Sequence, residues 1–232
     1  MKQASRSTQA RINIAIDGPA GAGKSTVARH VARELSYVYI DTGAMYRAVA
    51  LHMNRRGISP DEPERATEEM KQLQVELIPG DDRQSILLNG EDVTELIRTP
   101  EVSLQASKFA QIALIRETLV HMQRQLAERK GTVMDGRDIG THVLPHAEQK
   151  WFLTATVEER ARRRYVEWQG KEQITMEQLI KDIAERDHQD ATRAISPLKQ
   201  ADDAMLLDTT YMSIDEIVQR MVKQANSILD GE

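Results

Sequence analysis

One segment limits what this 232-residue chain can fold into more than any other: Gly18 to Ser25, which reads Gly-Pro-Ala-Gly-Ala-Gly-Lys-Ser. It fits the pattern G-x-x-x-x-G-K-[ST]. It follows a short apolar run, Ile12 to Asp17, and opens a helical pattern that carries Val27, Val31 and Leu35. A strand, a glycine-rich loop and a helix in this order direct backbone amides and a helix N-terminus at an anion. The segment therefore predicts a phosphate-binding loop in an α/β fold.

Each position of the phosphate-binding loop has an expected role toward ATP. Gly18 and Gly23 allow tight turns, Lys24 brings a positive charge to the β- and γ-phosphate oxygens, and Ser25 offers its hydroxyl to Mg²⁺. The alternative is a glycine-rich turn that only needs positive φ angles, but a chance match in such a chain is expected roughly once in a hundred sequences. The residues expected at the nucleotide are Gly18, Pro19, Ala20, Gly21, Ala22, Gly23, Lys24, Ser25 and Thr26.

The composition narrows the size and the partners of the molecule. A hydrophobic content of 40% over 232 residues supports one substantial core with small inserted lobes. The net charge of −5 argues against a broad nucleic-acid-binding surface. Cysteine is absent, which excludes disulfides and thiolate zinc sites. No run approaches 18 consecutive apolar residues, so we expect no membrane span.

Short apolar runs alternate with longer helical patterns along the chain. This alternation predicts a five-stranded parallel sheet flanked by helices. Besides the first run, the expected strands are Tyr37 to Asp41, Thr132 to Asp135, Lys150 to Leu153 and Met205 to Asp208.

Three helices carry clear packing or end signals. The first runs from Gly43 to Arg56. The second is expected to end near Lys130 with Gly131 as its C-cap, and Ser213 with Glu216 forms a capping box for the last helix. The second helix has an apolar stripe that we expect in the core: Ile112, Ile115, Leu119, Met122 and Leu126.

One stretch departs from the alternation of strands and helices. An Asn89-Gly90 pair between short extended runs is a strong hairpin signal, so we expect a small antiparallel insert at residues 61–100. The helical pattern then restarts at Thr99-Pro100-Glu101. The extended runs are Val75 to Ile78, Ser85 to Leu88 and Glu91 to Thr94.

Charged residues follow two of the predicted strands at the point where each strand ends. Thr42 lies at the tip of the second strand, with Arg47 one turn into the next helix, and Arg137 and Asp138 follow the third. Because ligands of open α/β sheets bind at strand C-terminal ends, these residues are candidates for an acceptor site. Alternatively, they form a helix N-cap and a turn ion pair.

Two helical segments in the second half of the chain carry further charges. Thr175 and Gln178 begin a helix with one face that changes from apolar to ionic. That face consists of Leu179, Ile183, Arg186, Asp190 and Arg193. Arg160 and Arg164 share a face of an earlier helix. Each segment is either a solvated face or part of the site, the first in an acceptor cleft and the second in a lid over ATP. Spacing alone does not settle which of Arg160, Arg162, Arg163 and Arg164 meets the phosphates.

A phosphate-binding loop does not by itself separate a kinase from a GTPase or an ATPase. An Asn-Lys-x-Asp guanine-reading motif is absent from the sequence, which counts against a GTPase. A second set of cations for an anionic acceptor favours a kinase. A nucleotide-sensing ATPase remains the alternative from another class.

Taken together, these motifs resemble the bacterial cytidylate kinase family from Ile12 onward. The motifs are the phosphate-binding loop, Asp41-Thr-Gly-Ala-Met-Tyr-Arg47, Glu91-Asp-Val-Thr94, Asp135-Gly-Arg-Asp-Ile-Gly-Thr141, and Arg186 to Arg193 followed by Ser196-Pro-Leu198. The resemblance implies a nucleoside monophosphate kinase fold with a parallel core, an acceptor-binding insert and a short lid. The expected parts are a flexible tail at 1–11, a core at 12–60, 101–157 and 173–232, the insert at 61–100 and the lid at 158–172.

The resemblance also implies an activity, which is transfer of the γ-phosphoryl group of ATP to CMP or dCMP with Mg²⁺ in the cytoplasm. We expect a monomer without an obligatory protein partner. Other small acceptors, such as AMP, UMP or shikimate, remain alternatives.

Residue roles follow from the resemblance. Arg47 and Arg137 are expected at the acceptor phosphate, Thr42, Arg116, Asp138 and Arg193 around the cytosine, and Ser107, Arg186 and Asp190 at the sugar. The expected catalytic residues are Lys24, Arg137, Arg160 and Arg164. A carboxylate accepts from the cytosine amine and arginines donate to its N3 and O2, whereas uracil reverses this pattern.

Overall fold

Five apolar runs form the central sheet, and all of its strands are parallel. In the computed structural model the described residues are 10–78, 80, 84–168 and 175–231, without the side chains of residues 167 and 168. Numbered along the chain, the five strands are β1 (Asn13–Asp17), β2 (Val38–Asp41), β6 (Thr132–Gly136), β7 (Gln149–Thr154) and β8 (Met205–Asp208). Their order is β2-β6-β1-β7-β8. The predicted fold class is confirmed, with each strand within one residue of its expected bounds.

The helices cover the two faces of this sheet and the space beside it. In chain order they are α1 (Lys24–Leu35), α2 (Thr42–Arg55), α3 (Pro63–Met70), α4 (Pro100–Phe109), α5 (Ala113–Ala127), α6 (Val157–Trp168), α7 (Met176–Thr192) and α8 (Ile214–Asp230). A π-helical turn, Ile139–Val143, follows β6. Neither α3 nor this turn was expected from the sequence.

The pleat of β1 divides the core between the two faces of the sheet. Ile14 and Ile16 point to one face and pack with α1 and α8, while Ala15 points to the other face toward α5 and the π-helical turn. A further cluster joins α2, α4 and α5 to the small sheet, with Met53 and Phe109 fully buried. Because β1 is buried on both faces, its near-continuous apolar sequence is that of a central parallel strand.

Several predicted helix ends are confirmed. The Thr99 side chain accepts from the Val102 amide at the start of α4. Ser213 and Glu216 form both bonds of the capping box of α8. At the start of α7, the Thr175 side chain accepts from the Gln178 amide. These caps satisfy amides that have no partner within the helix.

The predicted C-cap of α5 is wrong. The helix ends at Ala127 with Glu128 as its C-cap, well before Gly131. Gly131 has a φ of 75°, and its amide donates to the Ile12 carbonyl at 3.0 Å, so it starts the approach to β6. Leu126, expected in the core, is 41% exposed.

The predicted antiparallel insert is present as a separate sheet. Its strands are β3 (Val75–Ile78), β4 (Ser85–Leu88) and β5 (Glu91–Asp92), in that order. Asn89 and Gly90 have φ angles of 50° and 83°, which is the geometry of a tight hairpin turn. The division of the chain into core, insert and lid stays a prediction. Residues 1–9 of the expected tail and 169–172 of the expected lid lie outside the described residues.

One side chain ties this small sheet to the edge of the large one. Gln84 accepts from the Asp41 amide at 3.0 Å and donates to the Tyr39 carbonyl at 2.9 Å. Strand β2 is an edge strand, so its outward-facing groups would otherwise lack partners. The side-chain amide of Gln84 thus replaces a neighbouring strand.

Within the described part of the chain, no helix combines the length and apolar character needed to cross a membrane.

The contact between the phosphate-binding loop and β7 leads to a test of stability. Gly18 has a φ of 147°, and an added Cβ would lie 2.0 Å from the Leu153 carbonyl oxygen. That oxygen belongs to a strand that is fixed between β1 and β8. We expect Gly18→Ala to lower the free energy of unfolding by about 4 kcal/mol or more, measured by urea denaturation.

Gly57→Ala is the matched control for this substitution. Gly57 has a φ of 63° but no atom within 4 Å of an added Cβ, so only backbone strain of about 1 kcal/mol is expected. Equal losses in the two variants would contradict the steric explanation.

Candidate active site

A cleft with a volume of about 550 Å³ lies where β1, β2 and β6 end. One side is formed by the phosphate-binding loop and the start of α1, through Ala20, Gly21, Lys24, Ser25 and Thr26. The other side contains every residue expected at the acceptor: Thr42, Arg47, Ser107, Arg116, Arg137, Asp138, Arg186, Asp190 and Arg193. Residues from distant parts of the sequence therefore meet in one cavity.

The phosphate-binding loop takes a conformation that depends on its glycines. Gly18, Gly21 and Gly23 have φ angles of 147°, 77° and 86°. Lys24 is buried, and its ammonium group donates to the Pro19 carbonyl at 2.7 Å. Burial, followed by the charge of Arg137, lowers the pKa of Lys24 to about 7. An anion beside this ammonium group would favour its charged form.

A buried carboxylate that sequence reasoning missed lies beside the loop. Asp135 accepts from the Ser25 hydroxyl at 2.8 Å and from the Tyr39 hydroxyl at 2.8 Å. Burial, followed by the charge of Asp41, raises the pKa of Asp135. The available signal was an acidic residue at the end of an apolar strand, but pairing β6 with β1 was needed to bring it to Ser25.

Asp17 holds the segment after β6 in place. Its two oxygens accept from the Ile139 and Gly140 amides at 2.8 and 2.7 Å. Burial raises the pKa of Asp17 to about 6, against the opposing effect of these two backbone bonds. The π-helical turn is thereby fixed to the end of β1, and Arg137 and Asp138 directly precede it. Sequence reasoning missed this role.

Several guanidinium groups gather on the acceptor side. Arg137 donates to Asp190 at 2.7 Å, and Arg47 pairs with Asp41 at 3.0 Å. Arg186 is half-buried, and its Nε has no hydrogen-bond partner among the described residues. Burial, followed by the charge of Arg137, lowers the pKa of Arg186 to about 9. Such a concentration of cations suits a ligand with several negative charges.

Further into the cleft, a polar pocket surrounds Asp138. One of its oxygens lies 3.5 Å from Arg116 and 3.4 Å from Arg193, whereas Oδ2 is buried with no partner in the described residues. Arg116 donates to the Tyr46 hydroxyl at 3.1 Å and lies over its ring, 5.7 Å from the centroid. The Thr42 hydroxyl donates to the Asp135 carbonyl at 2.7 Å. The free acceptor and the adjacent donors could pair with a polar ring.

The two arginines predicted as lid residues occupy different places. Arg164 lines the cleft. Arg160 is only 4% exposed and lies outside the cleft lining, where its guanidinium contacts Ala20, Ala155 and Asp187. Four of the expected loop residues do not line the cleft and form the remainder of the loop: Gly18, Pro19, Ala22 and Gly23.

The chain is similar to known proteins over nearly its full length. A family model described as cytidylate kinase matches residues 14–227. A cytidylate kinase from Caldicellulosiruptor bescii is 49% identical over 223 residues, which cover 96% of this chain and 99% of the relative. One from Bacillus cereus is 52% identical over 222 residues, covering 95% and 97%.

A solved structure supports the fold alone. An uncharacterised protein from Eubacterium ventriosum gives a TM-score of 0.51 at 12% identity, covering 94% of this chain and 99% of that chain. The match of the family model over most of the chain, together with relatives at about half identity over nearly full length, establishes that the chain belongs to the cytidylate kinase family.

Proposed function

We propose that this chain transfers the γ-phosphoryl group of ATP to CMP or dCMP, giving ADP and CDP or dCDP. One observation carries the proposal: a single cleft joins the phosphate-binding loop to a cluster of guanidinium groups and to a pocket with a free carboxylate oxygen. Holding two anions in one cavity is what transfer between them requires. The two substrates therefore lose their translational and rotational entropy when they bind, and not in the chemical step.

On the donor side, the loop amides and Lys24 bind the ATP phosphates. The Lys24 ammonium exchanges the Pro19 carbonyl for a phosphate oxygen, which favours its charged form. Arg164, on the cleft side of α6, contacts the transferred group. These charges stabilise the negative charge that the transition state spreads over the γ-phosphoryl oxygens.

The residues present fit a magnesium ion next to the loop. Ser25 and Asp135 supply a hydroxyl and a carboxylate, which are the oxygen ligands that Mg²⁺ prefers. When bound with the nucleotide, the ion supplies positive charge to the β- and γ-phosphate oxygens. Tyr39 donates to the other oxygen of Asp135 and so fixes the orientation of this carboxylate.

On the acceptor side, Arg47 and Arg137 bind the 5′-phosphate of the nucleotide. Arg186 and Asp190 lie beside them and contact the sugar, together with Ser107. The acceptor phosphate is already largely a dianion near neutral pH, so transfer does not need a general base from the protein.

The pocket around Asp138 selects cytosine. Oδ2 of Asp138 accepts from the N4 amine, and the guanidinium groups of Arg116 and Arg193 donate to N3 and O2. Thr42 lies at the edge of the same pocket. Uracil offers an oxygen to Asp138 and an N–H to the arginines, so both contacts are lost. A buried mismatch of this kind lowers kcat/KM by about 10⁴.

A substrate panel tests this assignment. The purified chain is assayed for ADP release with ATP, Mg²⁺ and either CMP, dCMP, UMP, AMP or shikimate as acceptor. We expect the highest kcat/KM with CMP or dCMP, because only these present an amine and two acceptors on the same edge of the base. A preference for AMP or shikimate would overturn the acceptor assignment, and full turnover without an acceptor would indicate an ATPase.

Substitution of Arg193 tests the base pocket separately from the donor site. Arg193→Met removes a guanidinium beside Asp138 while leaving the phosphate-binding loop unchanged. We expect kcat/KM for CMP to fall about 10- to 100-fold, as one lost charged hydrogen bond implies, while KM for ATP stays within about twofold. Arg33→Met, at an exposed position of α1, is the control. An equal rise in KM for ATP would place Arg193 outside the acceptor site.

Substitution of Tyr39 tests the carboxylate beside the loop. Tyr39→Phe removes a donor to buried Asp135 and is expected to lower the free energy of unfolding by about 1–3 kcal/mol. ADP binding measured by calorimetry should weaken about tenfold in Mg²⁺ but remain unchanged with EDTA, since the phenol orients a ligand of the metal. Tyr211→Phe is the control, because Tyr211 is 96% exposed. Equal losses with and without Mg²⁺ would contradict the orienting role.

A further inference from the structure

Arg160 connects three separate segments behind the cleft. Its Nε donates to the Ala155 carbonyl at 2.9 Å, just after β7, and its Nη1 donates to the Ala20 carbonyl of the phosphate-binding loop at 3.0 Å. Its Nη2 pairs with Asp187 of α7 at 2.6 Å. All three nitrogens of this buried guanidinium are therefore engaged, each by a different segment. A side chain used in this way is unsuited to reach a phosphate in the cleft.

The bond to Ala20 controls the direction of a loop amide. In a trans peptide, the carbonyl oxygen and the following N–H point to opposite sides. Because Arg160 holds the Ala20 carbonyl away from the cleft, the Gly21 N–H points toward it, and Gly21 lines the cleft. An added Cβ at Gly21 would lie 3.0 Å from the Arg160 Cβ, so the loop rests directly on α6. Arg160 thus orients an amide that is expected to bind phosphate.

The bond to Asp187 connects the same guanidinium to the acceptor helix. Asp187 lies on α7 next to Arg186 and one turn before Asp190, and both of these residues line the acceptor side of the cleft. Its other oxygen, Oδ1, is buried with no hydrogen-bond partner among the described residues. The position of Asp187 therefore depends on Arg160, and any shift of α7 would act on this salt bridge.

Arg163, one turn further on, makes a useful contrast. It donates to the Ala22 carbonyl at 3.5 Å, and its stronger bond, at 2.6 Å, goes to the Thr209 carbonyl after β8. Both arginines hold carbonyls of the loop, but within the described part of the chain only Arg160 of the two forms an ion pair with α7. Among the described residues, Arg160 is the hydrogen-bonded connection between the loop and α7, alongside the apolar packing of α6 on α7.

We propose that Arg160 and Asp187 form a positioning pair that couples acceptor binding on α7 to the orientation of the phosphate-binding loop. This inference rests on the proposed function and assigns Arg160 a role other than direct contact with the transferred group. Coupling of this kind is reciprocal: occupancy of the donor site tightens acceptor binding by the same factor as the reverse.

The test measures that factor by calorimetry on the full chain. The dissociation constant of CMP is determined with and without a saturating non-hydrolysable ATP analogue and Mg²⁺, and that of the analogue is determined alone. Three variants are compared: Arg160→Lys, Asp187→Asn and the double variant. Arg160→Lys keeps the positive charge but loses the planar guanidinium that contacts three segments. Asp187→Asn removes the negative charge of its partner on α7. Arg162→Lys is the matched control, because Arg162 lies on the same helix and pairs with Glu159.

We expect the wild-type chain to bind CMP more tightly when the analogue is present. Arg160→Lys should weaken analogue binding about tenfold and reduce the coupling factor at least threefold, with CMP binding alone within about twofold. Asp187→Asn should reduce the coupling factor to a similar extent, and the double variant should lose no more than Arg160→Lys alone, since both substitutions break one connection. Arg162→Lys should match the wild type.

Three results would overturn the proposal. They are a wild-type coupling factor of one, an effect of Arg160→Lys no larger than that of Arg162→Lys, and equal weakening of analogue and CMP binding that follows a loss of thermal stability. If Arg160→Lys fails to fold, Asp187→Asn, which keeps the side-chain shape and one oxygen acceptor, decides the question. If the substrate panel shows another acceptor, the same factor is measured with that acceptor, so an error in the substrate assignment is distinguished from failure of the pair.

Discussion

The parallel register of three neighbouring strands is the constraint on which the site depends. Strand β6 lies between β1 and β2, with Gly136 opposite Asp17 and Asp135 opposite Asp41. All three strands therefore end at one edge. The chain leaves β1 into the phosphate-binding loop, and leaves β2 and β6 into segments that carry guanidinium groups. A register shift by one residue would turn these side chains to the other face and separate the donor from the acceptor.

Positive charge is concentrated in this cleft, although the chain as a whole carries a net negative charge. The chain has a net charge of −5, yet Lys24, Arg137 and Arg186 lie close together. The charge of Arg137 acts on both Lys24 and Arg186. Burial and Arg137 lower the pKa of both Lys24 and Arg186, so the cluster is less stable without an anion. The pairing of Arg137 with Asp190 offsets part of this repulsion. Binding of phosphate removes the remainder, which links ligand binding to stability.

The sequence predicted the strands and the cleft better than it predicted the interactions that support them. Apolar runs and turn signals are local, so β8 and the insert hairpin were placed correctly. The bonds of Asp135 to Ser25 and Tyr39 join residues about a hundred positions apart, and they follow only from the strand order. The C-cap error at Gly131 has the same origin, because the role of that glycine is set by Ile12 of a distant segment. Helical spacing placed Arg160 and Arg164 on one face of α6, but spacing alone does not show that Arg160 is buried while Arg164 lines the cleft.

Backbone amides of the phosphate-binding loop and side chains of the acceptor pocket recognise different parts of the substrates. Arg160 holds the Ala20 carbonyl of the phosphate-binding loop. That carbonyl fixes the direction of the amide that follows it, since the peptide is planar and trans. Backbone amides carry no information about the base, so they suit the phosphates that all nucleotides share. Discrimination must then come from side chains, and the pocket of Asp138, Arg116 and Arg193 supplies a free acceptor beside two donors. Selectivity for the acceptor can therefore vary without any change in the loop.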